Sequence, residues 1–271
     1  MTTIAFGVLG LIVGSFINVL VLRRGARLLS GRSVCMSCGK KIRWFDLIPV
    51  ISWLALRGRC RACGSRISIQ YPAVELSMGA AFALVGGAPL APHSTVFGLF
   101  ISAILIAITV YDLRHTIIPD AWVWSFNALA LISIFLIEGS LTAFSSQTAF
   151  SVLAGPLTAL PLFTLWLVSK GRWMGLGDAK LALGIGWLLG PMDGIYALLF
   201  AFVIGAIVSV FILLPLPSIA QYLKKRGIAN SGATKSYTMK SEVPFGPFLI
   251  AACLFQWISL MYGISIPFLW Q

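Results

Sequence analysis

The chain has 271 residues, of which 59% are apolar and only 10% charged, with a formal net charge of +12 and a mean hydropathy of +0.95. A soluble domain of this size carries about a quarter charged residues, so an ordinary water-soluble globule is excluded. The apolar excess lies in unbroken runs of about 20 residues, long enough to cross a ~30 Å hydrocarbon core as helices and too continuous for alternating barrel strands.

Taken in order, eight spans are expected, near 3–22, 72–89, 95–112, 121–138, 149–169, 180–191, 194–214 and 246–264. The first has no basic residue before it, while Arg23, Arg24 and Arg27 follow it directly. That flank order suits a retained anchor with an outside N-terminus better than a cleaved signal peptide. The sixth span is short and rich in Gly, which makes it the weakest of the eight.

Between spans one and two lies the one sizeable soluble segment, Arg23 to Gln70. It is too small to be held by apolar burial alone, so an added restraint is expected. Cys35-Met-Ser-Cys38 and Cys60-Arg-Ala-Cys63 supply one, with 21 residues between the pairs and Gly39 and Gly64 closing each turn. Two such knuckles make a tetrahedral four-thiolate site that suits Zn2+, and four ligands leave no position for a reactive water. A redox pair or four unrelated thiols are the competing readings. Cys253, inside the last span, reads as a small buried apolar residue.

The chain holds only eight acidic residues. Glu138, Asp193 and Glu242 fall in gaps or at span ends and read as solvated acids; Asp46 and Glu75 belong to the cysteine loop or its edge. Asp112 closes span three, within Tyr111-Asp112-Leu-Arg-His-Thr-Ile-Ile-Pro119-Asp120. Asp178 sits in Gly175-Leu-Gly177-Asp178-Ala-Lys180, ahead of span six. Carboxylates at a membrane boundary are costly and therefore functional candidates. Two brought close cannot both ionise cheaply: one keeps a proton while the other acts as base toward water. Gly175 and Gly177 would let backbone approach a substrate strand, and Lys180 either favours the ionised form of Asp178 or snorkels to the surface.

Charge placement gives the orientation. All 20 Lys and Arg lie in or at the edges of the gaps after spans one, three, five and seven, including the loop from Pro217 to Pro244. This positive-inside bias puts those gaps in the cytoplasm and both termini outside; a seven-span chain would break it. The same distribution removes the nucleic-acid reading that +12 invites, and leaves anionic lipid headgroups as the partner of the basic loops. Ser nucleophiles lack a base, since His93 is remote and His115 reads as a loop residue, and no GxSxG, HExxH or P-loop pattern occurs. A proton- or ion-coupled transporter, or a zinc-loop assembly factor without catalysis, remain alternatives to a protease.

With these motifs in place, the chain resembles the type IV prepilin peptidases, bacterial membrane aspartic proteases of the GxGD group. The resemblance runs through Gly14-Ser15-Phe16-Ile17-Asn18-Val19, both cysteine pairs, Asp46-Leu-Ile-Pro49-Val-Ile-Ser52-Trp53, and Leu56-Arg57-Gly58-Arg59-Cys60-Arg61. It continues through Tyr71-Pro72-Ala-Val-Glu75, the two aspartate motifs and Pro244-Phe245-Gly246-Pro247-Phe248. It implies Asp112 and Asp178 as catalytic residues and a prepilin or pseudopilin substrate whose basic leader is cut at the cytoplasmic face of the inner membrane. It also implies S-adenosylmethionine-dependent N-methylation of the new N-terminus, in service of a type IV pilus or type II secretion. Leu47 departs from the Asn more usual in the family, which bears on the methyltransferase. The expected fold is an all-α polytopic membrane protein: a first transmembrane helix at 1–22, a cytoplasmic four-cysteine zinc loop at 23–70, and a transmembrane aspartic peptidase bundle at 71–271.

Overall fold

The computed structural model describes residues 1–23, 33–137, 146–213 and 244–264. Arg24, Arg27, Glu138, Glu242 and nearly all of the loop expected at 217–244 lie outside them. Among the described residues the chain is helical, and its only extended pairings are two isolated bridges, Val34 with Lys41 and Arg59 with Arg66. The long helices are α1 (Thr2–Arg23), α3 (Gln70–Gly87), α4 (Pro92–His115), α5 (Asp120–Ile137), α6 (Ser146–Ser169), α7 (Leu176–Leu189), α8 (Pro191–Ile207) and α9 (Gly246–Met261). A 3-10 turn (Trp44–Leu47) and the five-residue α2 (Ile51–Ala55) lie in the cysteine loop, and a π turn (Val208–Leu213) extends α8.

Among the described residues, four helical stretches are long and apolar enough to cross a membrane: Thr2–Leu22, Pro92–His115, Thr148–Ser169 and Pro191–Phe211. Asp120–Phe135 and Gly246–Met261 are apolar but shorter. The 14 residues of α7 rise about 21 Å, short of a ~30 Å core, in keeping with the weakness expected of the sixth span.

Apolar helices in lipid gain little from burying one another's side chains, so close packing and satisfied backbone decide their contacts. Helix α1 meets α3 through such a close approach. A Cβ on Gly14 would lie 2.8 Å from the Glu75 Cα, and one on Gly10 only 2.8 Å from the Gly79 Cα. Helix α6 contains Pro156, which has no N–H to give the Val152 carbonyl one turn back. The Trp187 indole of α7 takes that place, donating Nε1–H to Val152 O at 2.8 Å. The vacancy made by one proline thus locks α7 to α6. Helices α4, α5, α7 and α9 then enclose a common core, with Leu105, Phe126, Ile185 and Leu249 fully buried.

Candidate active site and metal centre

Helix α4 stops one turn beyond Asp112. Thr116 turns left-handed at φ 53° and gives its N–H to the Asp112 carbonyl at 2.7 Å, and Pro119 precedes the start of α5. Asp112 therefore stands at the end of its helix, yet it is only 4% exposed. Its carboxylate accepts a hydrogen bond from the backbone N–H of Gly246, the first residue of α9.

Asp178 is the third residue of α7, whose N-cap is Gly175. It reaches back to accept the Gly175 backbone N–H, and its own N–H bonds to Gly175 O at 3.3 Å. This is the reciprocal half of a capping box, with negative charge at the favourable end of the helix dipole. Asp178 is 8% exposed, and the charge of Asp112 acts on it directly.

One apolar side chain packs on the glycine beside each of them. Ile118, in the turn between α4 and α5, packs against both Gly177 and Gly246: added Cβ atoms there would lie 3.1 Å from Ile118 Cβ and 3.2 Å from Ile118 Cδ1. A Cβ on Gly246 would also come within 2.6 Å of Asp112 Oδ2. Gly177 and Gly246 thus permit close approach of three chain segments, and neither has the positive φ that would demand glycine for its backbone.

Lys180 turns out to serve a different carboxylate. Its Nζ lies 2.7 Å from Asp120 Oδ1 at the start of α5, and its carbonyl accepts Asn127 Nδ2–H at 3.1 Å. Two polar contacts therefore tie α5 to α7 within one turn of Asp178. Sequence reasoning missed Asn127, Ile118 and the contact of Gly246 with Asp112. Only the Pro-Phe-Gly-Pro run hinted at the last, since nothing in linear order brings residue 246 to residue 112.

The four expected thiolates come together. The Sγ atoms of Cys35, Cys38, Cys60 and Cys63 all lie within 4.8 Å of one another, and Cys35 to Cys63 is 3.9 Å. Zinc–thiolate bonds of about 2.3 Å at tetrahedral angles put sulfurs about 3.8 Å apart, so the donor set fits the ion. The two knuckles repeat one geometry: Gly39 and Gly64 each have φ 69°, and each donates its N–H at 2.9 Å to the carbonyl of the first cysteine of its pair. The Cys38 backbone N–H, with that of Ser37, pulls the Cys35 thiol down to about 6. Cys38 goes the other way, to about 11. The Lys40 backbone lowers it, but hydrogen bonding with Cys63, burial and the charge of Cys35 outweigh that. Four thiols this close cannot all ionise unless a cation joins them.

One further polar contact closes the loop on itself, and a second fixes it to the bundle. Asp46 takes a two-pronged hydrogen bond from Arg61, the shortest 2.8 Å. Glu75, 6% exposed on α3, accepts the Val50 backbone N–H at 2.7 Å.

Residues 8–87 match the family model described as the bacterial peptidase A24 N-terminal domain, and residues 99–210 match that of the type IV leader peptidase family. The chain is 31% identical to a prepilin leader peptidase/N-methyltransferase of Pseudomonas putida, over 96% of this chain and 90% of that protein. It is 34% identical to the protein of that name from Myxococcus xanthus, over 76% of this chain and 62% of the relative. A type 4 prepilin-like proteins leader peptide-processing enzyme of Escherichia coli is 32% identical over 89% of this chain and 87% of its own length. No solved structure matches the chain.

Proposed function

Starting from the type IV leader peptidase family, to which this chain belongs, we propose that it removes the basic leader from a prepilin or pseudopilin with Asp112 and Asp178 as its catalytic pair. The observation that carries this reading is two buried carboxylates, from helix ends 66 positions apart, each beside a glycine that packs on the same isoleucine and each facing a backbone N–H. One carboxylate takes a proton from water as its oxygen attacks the scissile carbonyl. The other, protonated, hydrogen-bonds the carbonyl oxygen as charge develops there, and a proton passes to the leaving amine as the C–N bond breaks. The pair shares its protons, so neither residue is given one role for the whole cycle. The Asp120–Lys180 pair and Asn127 hold Asp178 in register from the side.

The remaining parts of the proposal follow from charge and hydropathy. Eight spans place the aspartates and the cysteine loop at the cytoplasmic face, where a prepilin's basic leader meets its apolar helix. The cysteine loop carries one structural zinc. After cleavage, S-adenosylmethionine supplies a methyl group for the new N-terminal amine. Co-expression with a prepilin, followed by gel mobility and mass spectrometry of its N-terminus, tests the whole. Wild type is expected to remove the leader, and Asp112→Asn and Asp178→Asn each to abolish removal; processing retained by either variant rejects the pair.

A further inference from the structure

A cavity of about 670 Å3 separates the cysteine loop from a wall formed by α1, α3 and the end of α4, and Ser15, Val19 and Leu22 line it from α1. The loop therefore lies alongside the last turns of α1 instead of capping its end at Arg23. One contact fixes how deep it reaches. Glu75 Oε2 accepts the Val50 backbone N–H at 2.7 Å, and the same carboxylate accepts from Ser15. At 1.5 Å per residue, Ser15 stands about 12 Å short of Arg23 along α1, and Glu75 about 8 Å inside the start of α3 at Gln70. Gln70 is itself level with the end of α4, where Arg114 Nε–H reaches its Oε1 at 2.8 Å. Val50 thus sits below the helix ends, about as deep as Asp112.

Around this anchor the loop turns an apolar face outward. Trp44 is 79% exposed, Ile51 65%, Leu54 61% and Ile48 39%, and none of the four lines the cavity. Ile51 and Leu54 share one face of α2 at three-residue spacing, while Trp53 turns inward and donates Nε1–H to Ile67 O at 3.3 Å. We propose that this face, from Trp44 to Leu54, docks into the cytoplasmic leaflet of the bilayer, at the boundary between anionic headgroups and acyl chains. The inference goes beyond the peptidase reading and rests on the eight-span topology proposed with it, since α1 and α3 must both cross.

The composition of the segment suits lipid. It holds no Lys or Arg, and its one acid, Asp46, is turned onto Arg61 with a side chain only 8% exposed. Lys40, Lys41 and Arg43 stand before it, and Arg57, Arg59 and Arg61 after it. An apolar insert with basic shoulders is what an anionic membrane surface holds, and an indole such as that of Trp44 favours the headgroup level.

The backbone suits lipid as well. Val50 N–H goes to Glu75, Ile51 N–H to Pro49 O, Ser52 N–H to Ile48 O and Leu54 N–H to Val50 O. Donors left unpaired at this depth would be costly. The chain bends into α2 at Val50, whose φ of 62° is strained for a β-branched residue, and the bond to Glu75 holds the bend in place. A pilin helix or a second copy would cover this face only while it was bound. The Glu75 anchor keeps the face at bilayer depth without either.

The test uses the full-length protein in nanodiscs of phosphatidylethanolamine and phosphatidylglycerol. In wild type, a phospholipid with a diazirine in its acyl chain is photoactivated and the labelled peptides are mapped. Label is expected on residues 44–54 as well as on α1 and α3. Label on α1 and α3 with none on 44–54 overturns the docking and leaves the topology standing. Cross-links from 44–54 to an added prepilin or to a second copy, in place of lipid, do the same. An α3 free of label overturns the eight-span topology and this inference with it, while leader cleavage still reports separately on the aspartates. Depth is read from nitroxides carried on p-acetylphenylalanine in place of Ile51, Leu54 and, as a control, Met36, which is 80% exposed in the first knuckle. The ratio of collisions with oxygen to collisions with a water-soluble nickel chelate is expected to be at least about threefold higher at 51 and 54 than at 36. A smaller difference overturns the docking. The wild-type map does not depend on whether any variant folds.

Discussion

Gly246→Ala isolates geometry from chemistry at the aspartates, because it removes no titratable group. The added methyl would lie 2.6 Å from Asp112 Oδ2, 3.4 Å from Asp112 Cγ and 3.2 Å from Ile118 Cδ1. Ordinary contact begins at 3.4 Å, so the carboxyl has to retreat by about 0.8 Å. A displacement near 1 Å costs reacting groups on the order of 100-fold, and overpacking of this kind costs roughly 1–3 kcal/mol in stability. The expected outcome is leader cleavage slowed by about 10- to 100-fold in a protein that still folds. The loss falls mainly on kcat, since the methyl disturbs the carboxylate rather than a surface that grips the pilin helix. Initial rates on a purified prepilin in nanodiscs measure it, and thermal unfolding checks the fold. Gly7→Ala is the matched control, since its Cβ would meet Ala83 Cβ at an ordinary 3.5 Å. Cleavage by Gly246→Ala within twofold of wild type, in a folded protein, would refute the idea that the α9 terminus sets the position of Asp112.

Elemental analysis of protein purified without chelator should find about one zinc per chain, and Cys38→Ser or Cys60→Ser should lose it while the loop from 33 to 69 becomes sensitive to limited proteolysis. Trp187→Phe leaves the Val152 carbonyl without its donor and should cost about 1–3 kcal/mol; adding Pro156→Ala restores an N–H to that carbonyl, so the double variant should recover part of the loss in thermal unfolding. Asp120 is 69% exposed in its pair with Lys180, and such pairs are worth about 0.2–1 kcal/mol. Asp120→Asn should therefore keep leader cleavage within about fivefold of wild type, and a loss beyond 100-fold would move Asp120 into the chemistry itself.

Much of the architecture was legible in advance because a membrane imposes one strong rule. Apolar runs of fixed length must become helices, and Arg23 to Arg66 could belong only to a loop in water. The cysteine pairs were equally readable: a CxxC knuckle is local, and its turn geometry follows from spacing and a glycine. Asp112 and Asp178 stood out for the opposite reason, as acids where burial is expensive. Lys180 shows where this reasoning ends. Two positions from Asp178 in sequence, it pairs instead with Asp120, because successive side chains on a helix point about 100° apart and α5 lies on the side that Lys180 faces.

The amino-acid order alone determined the helices, the two cysteine knuckles and which two carboxylates to watch, since each is set by composition or by contacts a few residues long. Tertiary structure decided what meets at the site. Ile118 between two glycines, the Gly246 N–H on Asp112, the Trp187 bond to a carbonyl vacated by proline and the cavity under Glu75 all join residues far apart in the chain. Such contacts depend on how whole helices pack, and helix packing in lipid is chosen by shape and backbone satisfaction rather than by any pattern readable along one segment.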